Sequence, residues 1–180
     1  LAMSLDTLEL RSTVDIHPSV DGLAETTDSD LPEMAPLGTV SGSCGELGTL
    51  FAANAPTLLV NTYDFFEAES FDSSLLGSGA TKRYEQDNQG GSSLCSEVMS
   101  IQLLEECEGA LLHKTEIEIV YATAGSIADY TATLDEQRIG VSVTRAYKGP
   151  MGDEYTLDDA TTLLTKKLNG VLEAADNVSP

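Results

Sequence analysis

Thr115-Glu-Ile-Glu-Ile-Val-Tyr121, Ser126-Ile-Ala-Asp-Tyr-Thr-Ala-Thr-Leu134 and Arg138-Ile-Gly-Val-Ser-Val-Thr-Arg145 follow one another along the chain. The first two alternate polar and apolar residues and the third is dense in β-branched ones, which are marks of strands. The spacing predicts a three-stranded meander with Asp129 inside its middle strand. If Glu136-Gln137 form a two-residue hairpin loop, Asp135 pairs with Arg138. Counting back sets Thr131 opposite Ser142 and Asp129 opposite Thr144. One face of the sheet then carries Asp129, Thr131, Ser142 and Thr144, while Val141, Val143 and Arg145 point to the other.

Helical patterns flank the trio. Val98, Ile101 and Leu104 recur in steps of three, and Leu94 and Leu103 widen that face. Ser92 or Ser93 can cap the start, and Gly109 falls where a terminating glycine belongs. The second helix opens at Thr156, which is spaced with Asp159 as a capping box. Ala160, Leu163, Leu164, Leu168, Val171, Leu172 and Ala175 then form an apolar stripe. Gly149-Pro-Met-Gly152 breaks the chain ahead of that helix. The expected class is α/β, ordered helix, three strands, helix, over residues 93–180. Residues 1–36 read as an acidic, largely extended arm. Residues 37–92 read as a loop-rich segment packing on the core, with Leu58-Leu-Val60 as a short apolar run.

The chain has 180 residues and a net charge of −21, enough length for one buried domain. Such a field repels nucleic-acid phosphates, so nucleic acid is a disfavoured partner and a basic protein a better one. No run reaches membrane-spanning length, so no membrane insertion is expected. Three cysteines without a Cys-x-x-Cys pair do not make a disulfide framework, and a reducing compartment is favoured. The opening residue is Leu1, so a targeting segment removed earlier is compatible with the sequence. His17 and His113 lack metal-ligand spacing, which argues against zinc. Gly42-Ser-Cys-Gly45 is not a nucleophile elbow, and no Gly-rich loop ends in Lys-Ser/Thr.

A carboxylate on a covered sheet must be paired or bind a cation, which makes Asp129 the leading candidate for chemistry. Hard oxygen ligands for Mg²⁺ could also come from Glu97 on the first helix and from Glu116 and Glu118, which share a face of the first strand. Glu97, Lys114-Thr-Glu-Ile-Glu118, Ile127-Ala-Asp-Tyr130 and Gly140-Val-Ser-Val-Thr-Arg-Ala146 together resemble the PD-(D/E)XK nuclease superfamily. The likeness runs to a eukaryotic branch typified by the slime-mould AAC-rich mRNA clone protein. It covers about residues 90–178, and the Gly-Val-Ser-Val-Thr-Arg-Ala string is its most specific element.

The resemblance implies a restriction-endonuclease-like core and Mg²⁺-dependent phosphodiester hydrolysis. Asp129 would be the metal-binding aspartate and Glu97 the auxiliary acid. Where the superfamily carries an acid and a lysine on the third strand, this chain has Ser142 and Thr144. Ser142 would complete the shell, with Lys167 or Arg145 as the cation at the phosphate, and Lys167 lies nearer the buried face than Lys166. The core of that superfamily also adds a strand, for which Leu58-Leu-Val60 is the candidate. The alternative expectation is a catalytically inactive structural or interaction subunit that kept the fold and lost the ligand set.

Overall fold

The computed structural model describes residues 2–4, 33–35, 37–52, 56–65, 72–87, 93–146 and 154–178. Most of the acidic arm, His17 and Gly149-Pro-Met-Gly152 therefore lie outside the described residues. The elements run β1 (Ala2–Ser4), β2 (Glu33–Ala35), β3 (Gly38–Gly42), α1 (Leu47–Ala52), β4 (Asn61–Phe65), α2 (Ser78–Glu85) and α3 (Leu94–Glu108). They continue with β5 (Leu111–Thr115), β6 (Tyr130–Leu134), β7 (Gln137–Val141) and α4 (Leu157–Asn177). Two antiparallel sheets result, one ordered β1-β7-β6-β5 and a smaller one ordered β2-β3-β4. The protein is mixed α/β, with four α-helices and two small sheets among the described residues.

α3 ends as its sequence dictates. Gly109 takes φ 63°, its N–H reaches the Glu105 carbonyl, and the Ala110 N–H reaches that of Leu104. That pair of bonds is the Schellman motif, and it turns the chain straight into β5. At the other end Ser93 occupies the N-cap position without a side-chain capping bond. In α4 the Thr156–Asp159 capping box forms in both directions.

The core lies between α2, α3 and the larger sheet. Ala80, Val98, Ile101, Ala110, Tyr130, Ala132, Leu134, Ile139 and Val141 are buried there. Each fully buried Val or Ile contributes about 1.5 to 3 kcal/mol. A Cβ on Gly79 would stand 2.7 Å from that of Leu112, so glycine is what lets α2 lie this close to β5. The segment before residue 93 thus supplies a helix to the core. Val40 and Cys107 form a second cluster, joined by Tyr63 and Leu103, under the smaller sheet.

The structure corrects three expectations. First, β5 stops at Thr115 and residues Glu116–Glu118 form a 3₁₀ turn, so Glu116 and Glu118 do not share a strand face. Thr115 and Glu118 close a capping box that ends the strand, and this local bonding outcompetes the alternation. Second, the β6–β7 turn is Asp135-Glu136, with φ of 47° and 66°, and Leu134 pairs with Gln137. Both central residues at positive φ make a turn whose twist suits a hairpin. The register moves by two residues, so the paired side chains keep their faces, and the ladder ends at Tyr130 opposite Val141, one residue short of Asp129.

Third, the strand that extends the larger sheet is Ala2–Ser4 on β7, while residues 56–60 are irregular and Leu58 is 86% exposed. Cys44 and Cys107 form a disulfide, a single bridge and not a framework, and Cys95 is free and exposed. Among the described residues no helix is long and apolar enough to cross a membrane.

Candidate functional site

Asp129 lies one residue before β6, on the segment whose backbone N–H bonds the Val141 carbonyl at 2.9 Å. Tyr130 also pairs with Val141, so Asp129 and Tyr130 together face one residue of β7, and this irregularity at the end of the ladder turns the carboxylate toward the residues leaving β7. The Tyr121 hydroxyl accepts the Ala128 N–H at 2.8 Å and fixes the approach from the other side. Asp129 Oδ2 accepts the Ser142 hydroxyl at 2.9 Å and the Val143 N–H at 2.7 Å. The Lys167 ammonium, from the middle of α4, stands 3.8 Å from the same oxygen and donates to Ser142 Oγ at 3.2 Å. The Asp129 and Lys167 side chains are 21% and 31% exposed, so this end of the site meets solvent.

Glu97 enters from the first turn of α3 and is buried. Its Oε2 accepts Arg83 Nε–H at 2.7 Å, in an ion pair with both side chains nearly inaccessible. Glu116 enters from the 3₁₀ turn after β5 and is half-buried. One carboxylate oxygen from each of Glu97, Glu116 and Asp129 lies within 4.8 Å of the other two. Three separate elements therefore bring three acids to one point. Burial raises the Glu116 carboxyl above the ordinary carboxylate range, and the negative charges of Asp129 and Glu97 raise it further. Burial likewise raises the Tyr121 phenol, and Glu116 and Asp129 add to that shift.

Of the residues singled out in the sequence, the fold gathers Glu97, Glu116, Asp129, Ser142 and Lys167. Lys167 is half-buried beside the cluster while Lys166 is exposed. Two candidates fall elsewhere. Glu118 turns away, because Lys82 Nζ at 2.7 Å and Thr115 take its Oε2. The Lys82 hydrogen bond, then that of the Thr115 N–H, lowers its carboxyl below the ordinary range. Arg145 is exposed on the run beyond β7, and the cation beside Asp129 is Lys167. Arg83 was missed, since nothing in its local sequence separates it from a solvated helix residue; its role exists only once α2 packs on α3.

The donor set is all oxygen, which suits a hard divalent cation such as Mg²⁺ or Mn²⁺ over zinc or copper. Two cations, Arg83 and Lys167, already stand against three carboxylates, and the Glu116 carboxyl is raised by burial first and by the Asp129 and Glu97 charges second.

No family model matches the sequence, and no solved structure matches it. The chain is similar to the AAC-rich mRNA clone AAC4 protein of Dictyostelium discoideum, 39% identical over 114 residues. The match takes in 58% of this chain and 16% of that protein, so the chain spans about a sixth of its relative's length.

Proposed function

We propose that the chain carries a restriction-endonuclease-like domain, of the PD-(D/E)XK type, for metal-dependent hydrolysis of a phosphodiester. The observation that carries this reading is the convergence of Glu97, Glu116 and Asp129 within 4.8 Å, with Lys167 beside them. Those three carboxylates would hold the ion. A bound Mg²⁺ would supply Lewis-acid stabilisation of charge at a phosphate and a more acidic water.

The chain's own residues divide the remaining work. Lys167 places a positive charge 3.8 Å from Asp129, where it can meet a phosphate oxygen. Ser142 and the Val143 N–H hold the Asp129 carboxylate in a fixed orientation, which preserves ligand geometry. Arg83 holds Glu97 from behind by one oxygen, so that acid is tolerated in a buried position. Ser142 fills the place of the third-strand acid, and Lys167 takes the part of the strand lysine from the next helix.

A second reading has its own support. Arg83 and Lys167 offset two of the three charges, and a carboxylate network satisfied this way can be purely structural. On that reading the domain is a non-catalytic interaction module.

Thermal melting in Mg²⁺ or Mn²⁺ separates the two. The metal reading expects stabilisation of about 2.7 kcal/mol at a hundred times Kd, and its loss in Asp129→Asn. Asparagine keeps an oxygen for the Ser142 and Val143 donors, so the variant should still fold. Equal melting of wild type with and without millimolar metal would leave the interaction module standing. Phosphodiesterase activity equal in wild type and Asp129→Asn would remove the enzymatic claim.

A further inference from the structure

β5 ends the larger sheet, and among the described residues no strand pairs with its outer edge. A register shift between Leu112 and Lys114 sets the faces of this strand. Leu112 packs against the core, whereas Leu111 lies opposite Thr133 and Lys114 opposite Thr131. Thr131 and Thr133 are two apart on β6, so Leu111 and Lys114 both point away from the core. Arg138 pairs with Thr133 from the other side and joins them on that face. From the core side, Lys82 in the last turn of α2 bonds Glu118 just beyond the end of β5.

The edge is flanked by cations in a chain that has few. Lys82, Lys114 and Arg138 are three of its 9 Lys and Arg residues. All three act on His113, whose imidazole is held below its ordinary value by burial first and then by the charges of Arg138, Lys114 and Lys82. Glu118 opposes that shift and has the smallest effect, its carboxylate being taken by Lys82. The local field is thus positive although the net charge is −21. Neither Lys114 nor Arg138 has an ion-pair partner among the described residues. Leu111 is exposed at the start of the strand and Ile117 just past its end. The other strands that end a sheet, β1, β2 and β4, contain no Lys or Arg.

We infer that the outer edge of β5 receives an extended acidic segment of a partner protein, which adds a strand to the larger sheet. An edge strand presents a row of backbone N–H and C=O groups, and an added strand pairs with them while its alternate side chains set specificity. Carboxylates on the outer face of that strand meet Lys114 directly and lie in the field of Arg138 across β6. Leu111 and Ile117 offer apolar contact at either end. A lysine and a bulge on an edge guard against indiscriminate pairing, and here the same devices select an acidic strand over a basic one. Distant carboxylates are screened beyond about 8 Å at physiological salt, so a short segment feels mainly the cations beside it. A long polyanion such as nucleic acid runs past those cations into the acidic remainder of the surface. This docking edge does not rest on the metal reading of the carboxylate cluster.

Fluorescence anisotropy of the full chain tests this, with a labelled peptide of about ten residues alternating valine and glutamate and its valine–lysine counterpart. The glutamate peptide should bind at least about ten-fold tighter than the lysine one. Methylating the peptide's backbone nitrogens keeps its charge but removes the donors that pair with β5, so binding should be lost. Lys114→Glu should weaken the glutamate peptide about ten-fold, and Arg138→Glu, one strand further away, about three-fold. Arg138 is exposed and Lys114 half-buried on the outer face, so both variants should melt cooperatively near the wild-type temperature. Absent or equal binding of the two peptides, binding that survives methylation, or affinity unchanged in both variants overturns the inference. An oligothymidylate of equal charge binding tighter than the glutamate peptide overturns it in favour of nucleic acid. Self-association of the wild type in sedimentation, abolished by Lys114→Glu and with no peptide bound, overturns it in favour of a second copy of the chain.

Discussion

Glu116 holds its proton more tightly in the folded chain than in the unfolded one, where its carboxyl sits near 4.5. The cause is burial first, then the neighbouring Asp129 and Glu97 charges. With the folded value raised, the folded state binds more protons over that window, so stability falls as pH rises through it. The contribution is fullest below about 4.5 and is lost above the folded value. Glutamine cannot ionise, so Glu116→Gln should escape that loss. In chelator, the melting temperature of the variant minus that of wild type should grow from about pH 4 to about pH 8, reaching roughly 1 to 3 °C. The same variant should lose the metal response. A difference that stays flat across that range would show that Glu116 is not strained by its neighbours. Arg83 makes the opposite case. Arg83→Met leaves Glu97 buried and uncompensated, so chemical denaturation should show a loss of about 3 to 5 kcal/mol. A loss below about 1 kcal/mol would mean that water reaches Glu97 and that the pair is not sealed.

Secondary-structure elements show where local chemistry was readable and where packing decided. The β6–β7 turn is one test. Glu136 sits at φ 66°, a conformation that costs a residue with a Cβ about 1 to 2 kcal/mol and costs glycine little. Glu136→Gly should raise stability by about 0.5 to 1 kcal/mol in urea melts, with the site untouched. Destabilisation would mean that the side chain at 136 makes a contact worth more than the strain. α3 and α4 were legible because their caps are spelled out locally, in Gly109 and in Thr156 with Asp159. The second and third strands of the meander were legible, whereas the first lies at Leu111–Thr115, ahead of the alternating Thr115–Tyr121 run that was read as a strand. Thr115-x-x-Glu118 has the same spacing as Thr156-x-x-Asp159, and the box was present in the sequence beneath an equally good alternation. Two local codes competed, and the one that satisfies a backbone donor won. The slip of two residues in the hairpin was harmless for the site because the period of a strand is two. Asp129 and Ser142 meet by a bond beyond the end of the β6–β7 ladder, and Lys167 reaches them from the middle of α4. Arg83 was beyond reach, since its significance comes from the close approach that Gly79 allows between α2 and β5.

At the scale of the molecule, two cores share α3. The larger holds the carboxylate cluster, and the smaller lies beneath β2, β3 and β4 with Val40 and Cys107 at its centre. Three ties bind the smaller sheet to α3 at that end. Cys44 is disulfide-bonded to Cys107, Val40 packs with Leu103 and Tyr63, and the Glu108 carboxylate accepts the N–H groups of Gly45 at 3.1 Å and Leu47 at 2.9 Å. The apolar part is small, so much of the attachment depends on the covalent link. A cross-link over a separation of 63 residues removes chain entropy worth about 4 kcal/mol from the unfolded state. Replacing Cys44 and Cys107 together by alanine should therefore lower stability by about 2 to 4 kcal/mol, once native-state relaxation is allowed for. The cluster of Glu97, Glu116 and Asp129 is built on the other core, with Glu97 in the first turn of α3 and Cys107 in its last. A fifteen-residue helix is about 22 Å long, so the two ends are well separated. The double-alanine variant should thus melt lower yet keep the full metal-induced rise in melting temperature. If the rise vanished with the disulfide, the two cores would be coupled through α3, and Glu97 would owe its position to the cross-link as much as to Arg83.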